Sequence, residues 1–150
     1  TLAKKNLFIM LRNDEHYEFS NIYLIAKMEV PNSDKVIVDT LQYEMATPEG
    51  KWLGDGYSAV KESKLWYKEQ FVFPAKGKYN IKIEQAMRKI GDNEGVPVLK
   101  GITEVGLRLI NNCLTKEFYV VSISCKFVKF VGDLKKIINY EKRKQHKQHQ

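Results

Sequence analysis

Between Asn21 and Val30, the residues Ile22, Leu24, Ala26, Met28 and Val30 fall on one side of an extended chain, and Lys27 and Glu29 fall on the other. Strand side chains point alternately to opposite faces, so this spacing predicts a strand buried on one side. The segment from Lys78 to Arg88 repeats the pattern, with Tyr79, Ile81, Ile83 and Met87 inward and Lys78, Asn80, Lys82, Glu84 and Arg88 toward water. Shorter versions run through Leu7–Arg12, Val36–Met45, Leu65–Phe73 and Val105–Ile110, which makes six expected strands before the last forty residues.

The breaks between these runs carry turn chemistry. In Pro48-Glu49-Gly50, proline presets φ for the second turn position and glycine accepts a positive φ next to it. Pro31-Asn32-Ser33-Asp34 and Pro74-Ala75-Lys76-Gly77 are read the same way. Strands buried on one face and joined by short turns suit antiparallel sheets, and two such sheets packed face to face cover both apolar sides. The expected fold is therefore all-β, an antiparallel β-sandwich of jelly-roll-like type. No strand-helix alternation occurs in this region, which argues against a parallel α/β fold. Internal repeats are absent.

Composition agrees with one globular domain. The chain has 150 residues, 43% of them hydrophobic and 29% charged, and at that length folding buries about two-thirds of the unfolded surface without help from disulfides or a structural metal. No run of eighteen uncharged apolar residues occurs, so no transmembrane helix is expected within it. The net charge of +7 invites a nucleic-acid reading, but it is unevenly placed. Residues 1–110 carry 16 Lys+Arg against 15 Asp+Glu, whereas residues 111–150 carry 9 against 3. The expected division is a sandwich domain over 1–110 and a basic C-terminal extension over 111–150. Within the extension, Glu117–Val131 is expected to form a strand with Tyr119, Val121, Ile123, Cys125 and Phe127 on one face, and Leu134–Lys144 a short helix. Its basic residues lack the interleaved aromatics of a stacking platform, so no nucleic-acid partner is expected.

Five stretches carry a resemblance. Ser20-Asn21-Ile22-Tyr23-Leu24, Asp39-Thr40-Leu41, Gly50-Lys51-Trp52-Leu53-Gly54-Asp55-Gly56, Glu84-Gln85-Ala86-Met87-Arg88 and Gly101-Ile102-Thr103-Glu104-Val105-Gly106-Leu107-Arg108 occur in an order that resembles the gliding-motility lipoprotein GldH family of Bacteroidota. The likeness covers roughly the first three-quarters of the chain and stops near Leu109. It implies a non-enzymatic envelope lipoprotein of the gliding and type IX secretion machinery, held to a membrane through an acylated N-terminal cysteine and facing the periplasm. It implies no catalytic residue and no cofactor. The lipobox cysteine and a first strand upstream of Leu7 are not among these residues, and the start at Thr1 fits a truncated sequence.

Candidate chemistry is sparse. A nucleophile and base need an ordered histidine, whereas His16 falls in a turn and His146 and His149 in the polar end. Cys113 and Cys125 stand twelve apart, outside zinc-ligand spacing, and no metal site is expected. Gly91-Asp92-Asn93-Glu94-Gly95 lacks the alternating spacing of a calcium loop and is expected to be an acidic hairpin turn. Asp39 shares a strand face with Ile37, Leu41 and Tyr43, and a carboxylate there must be paired or hydrogen-bonded. Gln85 lies between Ile83 and Met87 on an inward face. Asp39, Gln85, Arg88 and Arg108 are accordingly expected to form a structural polar cluster. Trp52, Tyr57 and Trp66 lie in or beside a Gly-rich loop and form the candidate interaction surface, either for a protein partner or, in the alternative reading of a carbohydrate-binding module, for sugar rings.

Overall fold

The computed structural model describes residues 4–111 and 128–133. Its strands are β1 (Lys5–Asn13), β2 (Asn21–Glu29), β3 (Val36–Glu44), β4 (Lys61–Phe71), β5 (Lys78–Gln85), β6 (Ile102–Asn111) and β7 (Val128–Asp133). They make two sheets, one ordered β4-β1-β6 and one ordered β3-β2-β5-β7, with every pairing antiparallel. No helix occurs among the described residues. The fold is the all-β sandwich that the alternation predicts.

The core lies between the sheets and is built from the alternating positions. Leu7, Ile9 and Leu11 of β1 meet Ile22, Leu24, Ala26 and Met28 of β2, with Leu65 and Tyr67 of β4, Tyr79, Ile81 and Ile83 of β5, and Val105, Leu107 and Leu109 of β6. Burial of such side chains is worth roughly 1.5–3 kcal/mol each. Shifting any strand by one residue would turn this set to water, and the pattern therefore fixes register as well as element type.

The strand ends depart from those of the apolar runs in both directions. β4 starts at Lys61 instead of Leu65, because Ser63 also points inward, at 8% exposure, while Glu62 and Lys64 face out. β5 stops at Gln85, where the Met87 amide turns to donate to the Gln85 side-chain oxygen at 2.8 Å and the Ala86 amide to the Tyr23 carbonyl at 2.8 Å. Met87 stays buried beyond the strand end. β6 continues through Ile110 to Asn111, and β7, from the basic extension, pairs with β5. Residues 117–127 of the strand expected in the extension, and the helix expected over Leu134–Lys144, lie outside the described residues.

The Pro-led turns fall where strands reverse. The Gly50 amide closes on the Thr47 carbonyl at 2.9 Å across Pro48 and Glu49, and the Val30 amide reaches the Lys35 carbonyl at 3.0 Å across the Pro31–Asp34 loop.

Candidate functional site

The Gly-rich stretch from Gly50 to Gly56 works first as architecture. Its Trp52 pairs with Ala46, and the Leu53 amide bonds to the Met45 carbonyl at 2.9 Å. The indole is half-buried against the core, 6.1 Å between centroids from Tyr17, and so closes one end of the sandwich. Beyond it, Asp55 and Glu62 exchange backbone hydrogen bonds of 2.8 and 2.9 Å, which lays the loop along the outer edge of β4. Gly54 is required for that approach: a Cβ there would sit 3.0 Å from the Glu62 carbonyl oxygen and 2.9 Å from the Ser63 hydroxyl. Tyr57, at the tip of the same loop, is fully exposed.

Trp66 lies elsewhere, on the outward face of the three-stranded sheet. Phe8 and Met10 alternate with the core residues of β1 and point to that face, and cross-strand register sets Trp66 and Arg108 on either side of Phe8, and Lys64 and Gly106 on either side of Met10. The Trp66 and Phe8 rings stand 4.3 Å apart, and the Lys64 ammonium lies 4.1 Å from the Phe8 ring centroid. Trp66 remains 53% exposed while Phe8 is buried beneath its neighbours. Arg12 closes the row with ion pairs to Glu62 at 2.8 Å and Glu104 at 2.5 Å. Burial lowers the pKa of Lys64 and the nearby Arg108 charge adds to the effect; burial also lowers that of Arg108. This is an aromatic and basic patch, suited to an acidic or ring-bearing partner surface. Among the described residues, no ring contact joins Trp52, Tyr57 and Trp66, which occupy the end of the core, a loop tip and an outer sheet face.

The polar residues separate in the same way. Asp39 does lie with Ile37, Leu41 and Tyr43 on the inward face of β3, all partly buried. Its partner is Lys68 of β4, whose ammonium lies 3.0 and 2.9 Å from the two carboxylate oxygens. This lysine went unnoticed in the sequence because it reads as an ordinary exposed position of β4; no local signal marks a pair formed across two sheets. Tyr43 reinforces the link by donating its hydroxyl to the Trp66 carbonyl. Burial and the Asp39 charge push Tyr43 up to about 12, and burial, with the same carboxylate beside it, raises Tyr67.

Gln85 is satisfied locally, donating to the Val96 carbonyl and accepting from the Met87 amide. Arg88 is exposed, and Arg108 is on the outward face opposite Phe8. Gln85 and Arg88 thus lie together at the end of β5, away from Asp39 on β3 and from Arg108 on the outer face of the three-stranded sheet. Gly91–Gly95 forms a hairpin turn, closed by the Val96 amide on the Met87 carbonyl at 2.8 Å, beside an open groove of about 530 Å³ lined by Glu18, Lys89, Asp92, Glu94 and Lys100. His16 is exposed and reaches the Asp14 carboxylate at 3.2 Å. Among the described residues, no group of three His, Cys, Asp or Glu side chains is placed to hold a metal ion.

Fold and surface together define a β-sandwich that carries an aromatic-basic patch on the outer face of its three-stranded sheet. Residues 1–109 match the family described as GldH lipoprotein, and the chain belongs to that family. It is 53% identical over 104 residues to a protein named gliding motility lipoprotein GldH homolog from Christiangramia forsetii, covering 69% of this chain and 64% of that one. It is 49% identical over 106 residues to the gliding motility lipoprotein GldH of Flavobacterium johnsoniae, covering 71% and 65%. The matched region spans just under two-thirds of the length of these relatives. No solved structure matches the chain.

Proposed function

We propose that this chain is the sandwich part of an envelope lipoprotein that serves gliding motility, and that it acts by position and protein contact without catalysing a reaction. The family match across the sandwich carries this reading, since both relatives bear gliding-motility lipoprotein names. In this reading a lipid anchor lying outside these residues holds the domain at a periplasm-facing membrane surface. Confinement there raises its effective concentration for neighbouring components of the gliding and type IX secretion machinery, and modest affinity per contact is then enough. Trp66 with Phe8 and Lys64, and the exposed Tyr57, supply contact chemistry; Trp52 supplies the end of the core. A sugar-binding platform would need rings presented side by side, and the dispersal of the three residues gives that alternative no support.

An intact, lipidated protein carrying this sandwich, crosslinked in the cell envelope and purified with its neighbours, tests the proposal. The expected result is recovery of membrane-fraction proteins of the gliding and secretion machinery, reduced when Trp66→Ala is introduced. Recovery of soluble glycans alone, or of a protein that leaves the membrane fraction, overturns it.

A further inference from the structure

Among the described residues, the two sheets present neighbouring edges, β3 and β4, of which β4 is closed and β3 is not. At β4, the Asp55 backbone covers Glu62, the Tyr43 hydroxyl takes the Trp66 carbonyl, and the strand ends in a register irregularity near Gln70, whose φ is +46°. Lysines and glutamates at Lys61, Glu62, Lys64, Lys68 and Glu69 add charge. These are the usual devices that keep an edge strand from pairing.

β3 has almost none of them. It pairs with β2 over nine consecutive residues with no bulge, and it contains neither proline nor lysine. Its one inward charge, Asp39, is neutralised by Lys68. The bonds from Val30 to Lys35 and from Met45 to Ser20 mark the hydrogen-bonded pairs at the two ends of the hairpin. Antiparallel alternation then directs the backbone groups of Ile37, Asp39, Leu41 and Tyr43 toward β2, and those of Val36, Val38, Thr40, Gln42 and Glu44 outward. Val36 and Val38 are also exposed on the sheet face, at 47% and 57%.

We infer that β3 pairs antiparallel with β3 of a second copy of this chain, about a two-fold axis at Val38. Only registers that match the outward-directed residues with one another form hydrogen bonds. An axis at Val38 sets Val38 against Val38 and Val36 against Thr40, which covers the exposed valines. An axis at Asp39 sets two carboxylates face to face. An axis at Thr40 places Val36 against Glu44 and Val38 against Gln42, and leaves the valines beside polar partners. The contact is isologous and closes at two copies. Edge pairing alone is a small interface, so the expected Kd is about 0.1 mM.

Sedimentation of the 150-residue chain up to about 1 mM, with hydrogen exchange read at the Val38 and Thr40 amides, tests this. The expected result is a monomer passing to a dimer, with exchange at those two amides slowing as concentration rises. Thr40→Pro removes an outward N–H without touching a bond to β2, and proline is tolerated on edge strands; it and Val38→Lys should each weaken the dimer at least about tenfold. Ile90→Lys, at an exposed site remote from β3, should not. A chain that stays monomeric, a dimer that survives both β3 variants, or amides protected equally at every concentration overturns the inference.

Discussion

The Asp39–Lys68 pair allows a measurement of what holds the two sheet edges together. The side chains keep 28% and 21% of their exposure, so the pair is neither a surface ion pair nor a fully buried one. Exposed pairs contribute about 0.2–1 kcal/mol, and breaking a buried pair costs about 3–5 kcal/mol. The half-buried geometry places the coupling at about 1–2 kcal/mol, between those two limits. A double-mutant cycle of Asp39→Asn, Lys68→Met and the combined variant isolates it, because each change keeps side-chain size while removing one charge. Urea unfolding of the four proteins should give single-variant losses larger than the loss added by the second change. A loss of that size lowers Tm by about 3–6 °C. Asp39→Leu should likewise lower stability while partner binding persists, since the carboxylate is structural. Coupling below about 0.3 kcal/mol, or an unchanged Tm with lost partner binding, would refute this account of the carboxylate.

Three further outcomes follow from the structure. Gly101→Ala should cost about 3 kcal/mol or more in urea unfolding, because φ is +81° and a Cβ would fall 2.1 Å from the Tyr17 amide nitrogen; a loss under about 1 kcal/mol would contradict that contact. Tyr43 titrates near 12 in the folded chain against about 10 when unfolded. The native state therefore holds the proton where the unfolded state has released it, and stability, complete below about pH 10, should fall as pH rises toward 12. Tyr43→Phe should make this decline shallower but not abolish it, because burial raises Tyr17 and Tyr67 as well; an identical slope in the variant counts against the assignment. Trp66→Ala should lower stability by about 1–2 kcal/mol through the lost ring contact and the uncovering of Phe8, measured by the same unfolding assay, and a neutral result would mean that the indole covers nothing.

The strands were legible because alternation is a local property. Ile22 through Val30 and Tyr79 through Ile83 carry their burial in their spacing, and the buried set follows it. Boundaries were less legible where polar residues continue a strand without joining the core, as Glu62 and Lys64 do at the start of β4. The mutual arrangement of the strands was harder still. Alternation states which side chains share a face, and it cannot state which sheet edge lies beside which. Asp39 was recognisable as a carboxylate in need of a partner, yet that partner is 29 residues away on the other sheet.

The aromatic residues show the same limit from the side of function. Trp52 and Tyr57 stand five positions apart in one Gly-rich loop, but pairing of Trp52 with Ala46 holds one ring at the end of the core, while beyond Asp55, where the loop pairs with β4, the other ring is left in water. Trp66 belongs to a third environment, set by strand register with Phe8. Glycines that allow a loop to hold a ligand also allow it to press against its own sheet, and a sequence reads alike in both cases. Here Gly54 meets Glu62 and Ser63, so the loop's first use is to close the β4 edge. Of the two neighbouring edges, and among the described residues, that closure leaves β3 and not β4 with outward backbone groups free of the loop, so residues that look like a binding loop bear on which edge the proposed strand pairing uses.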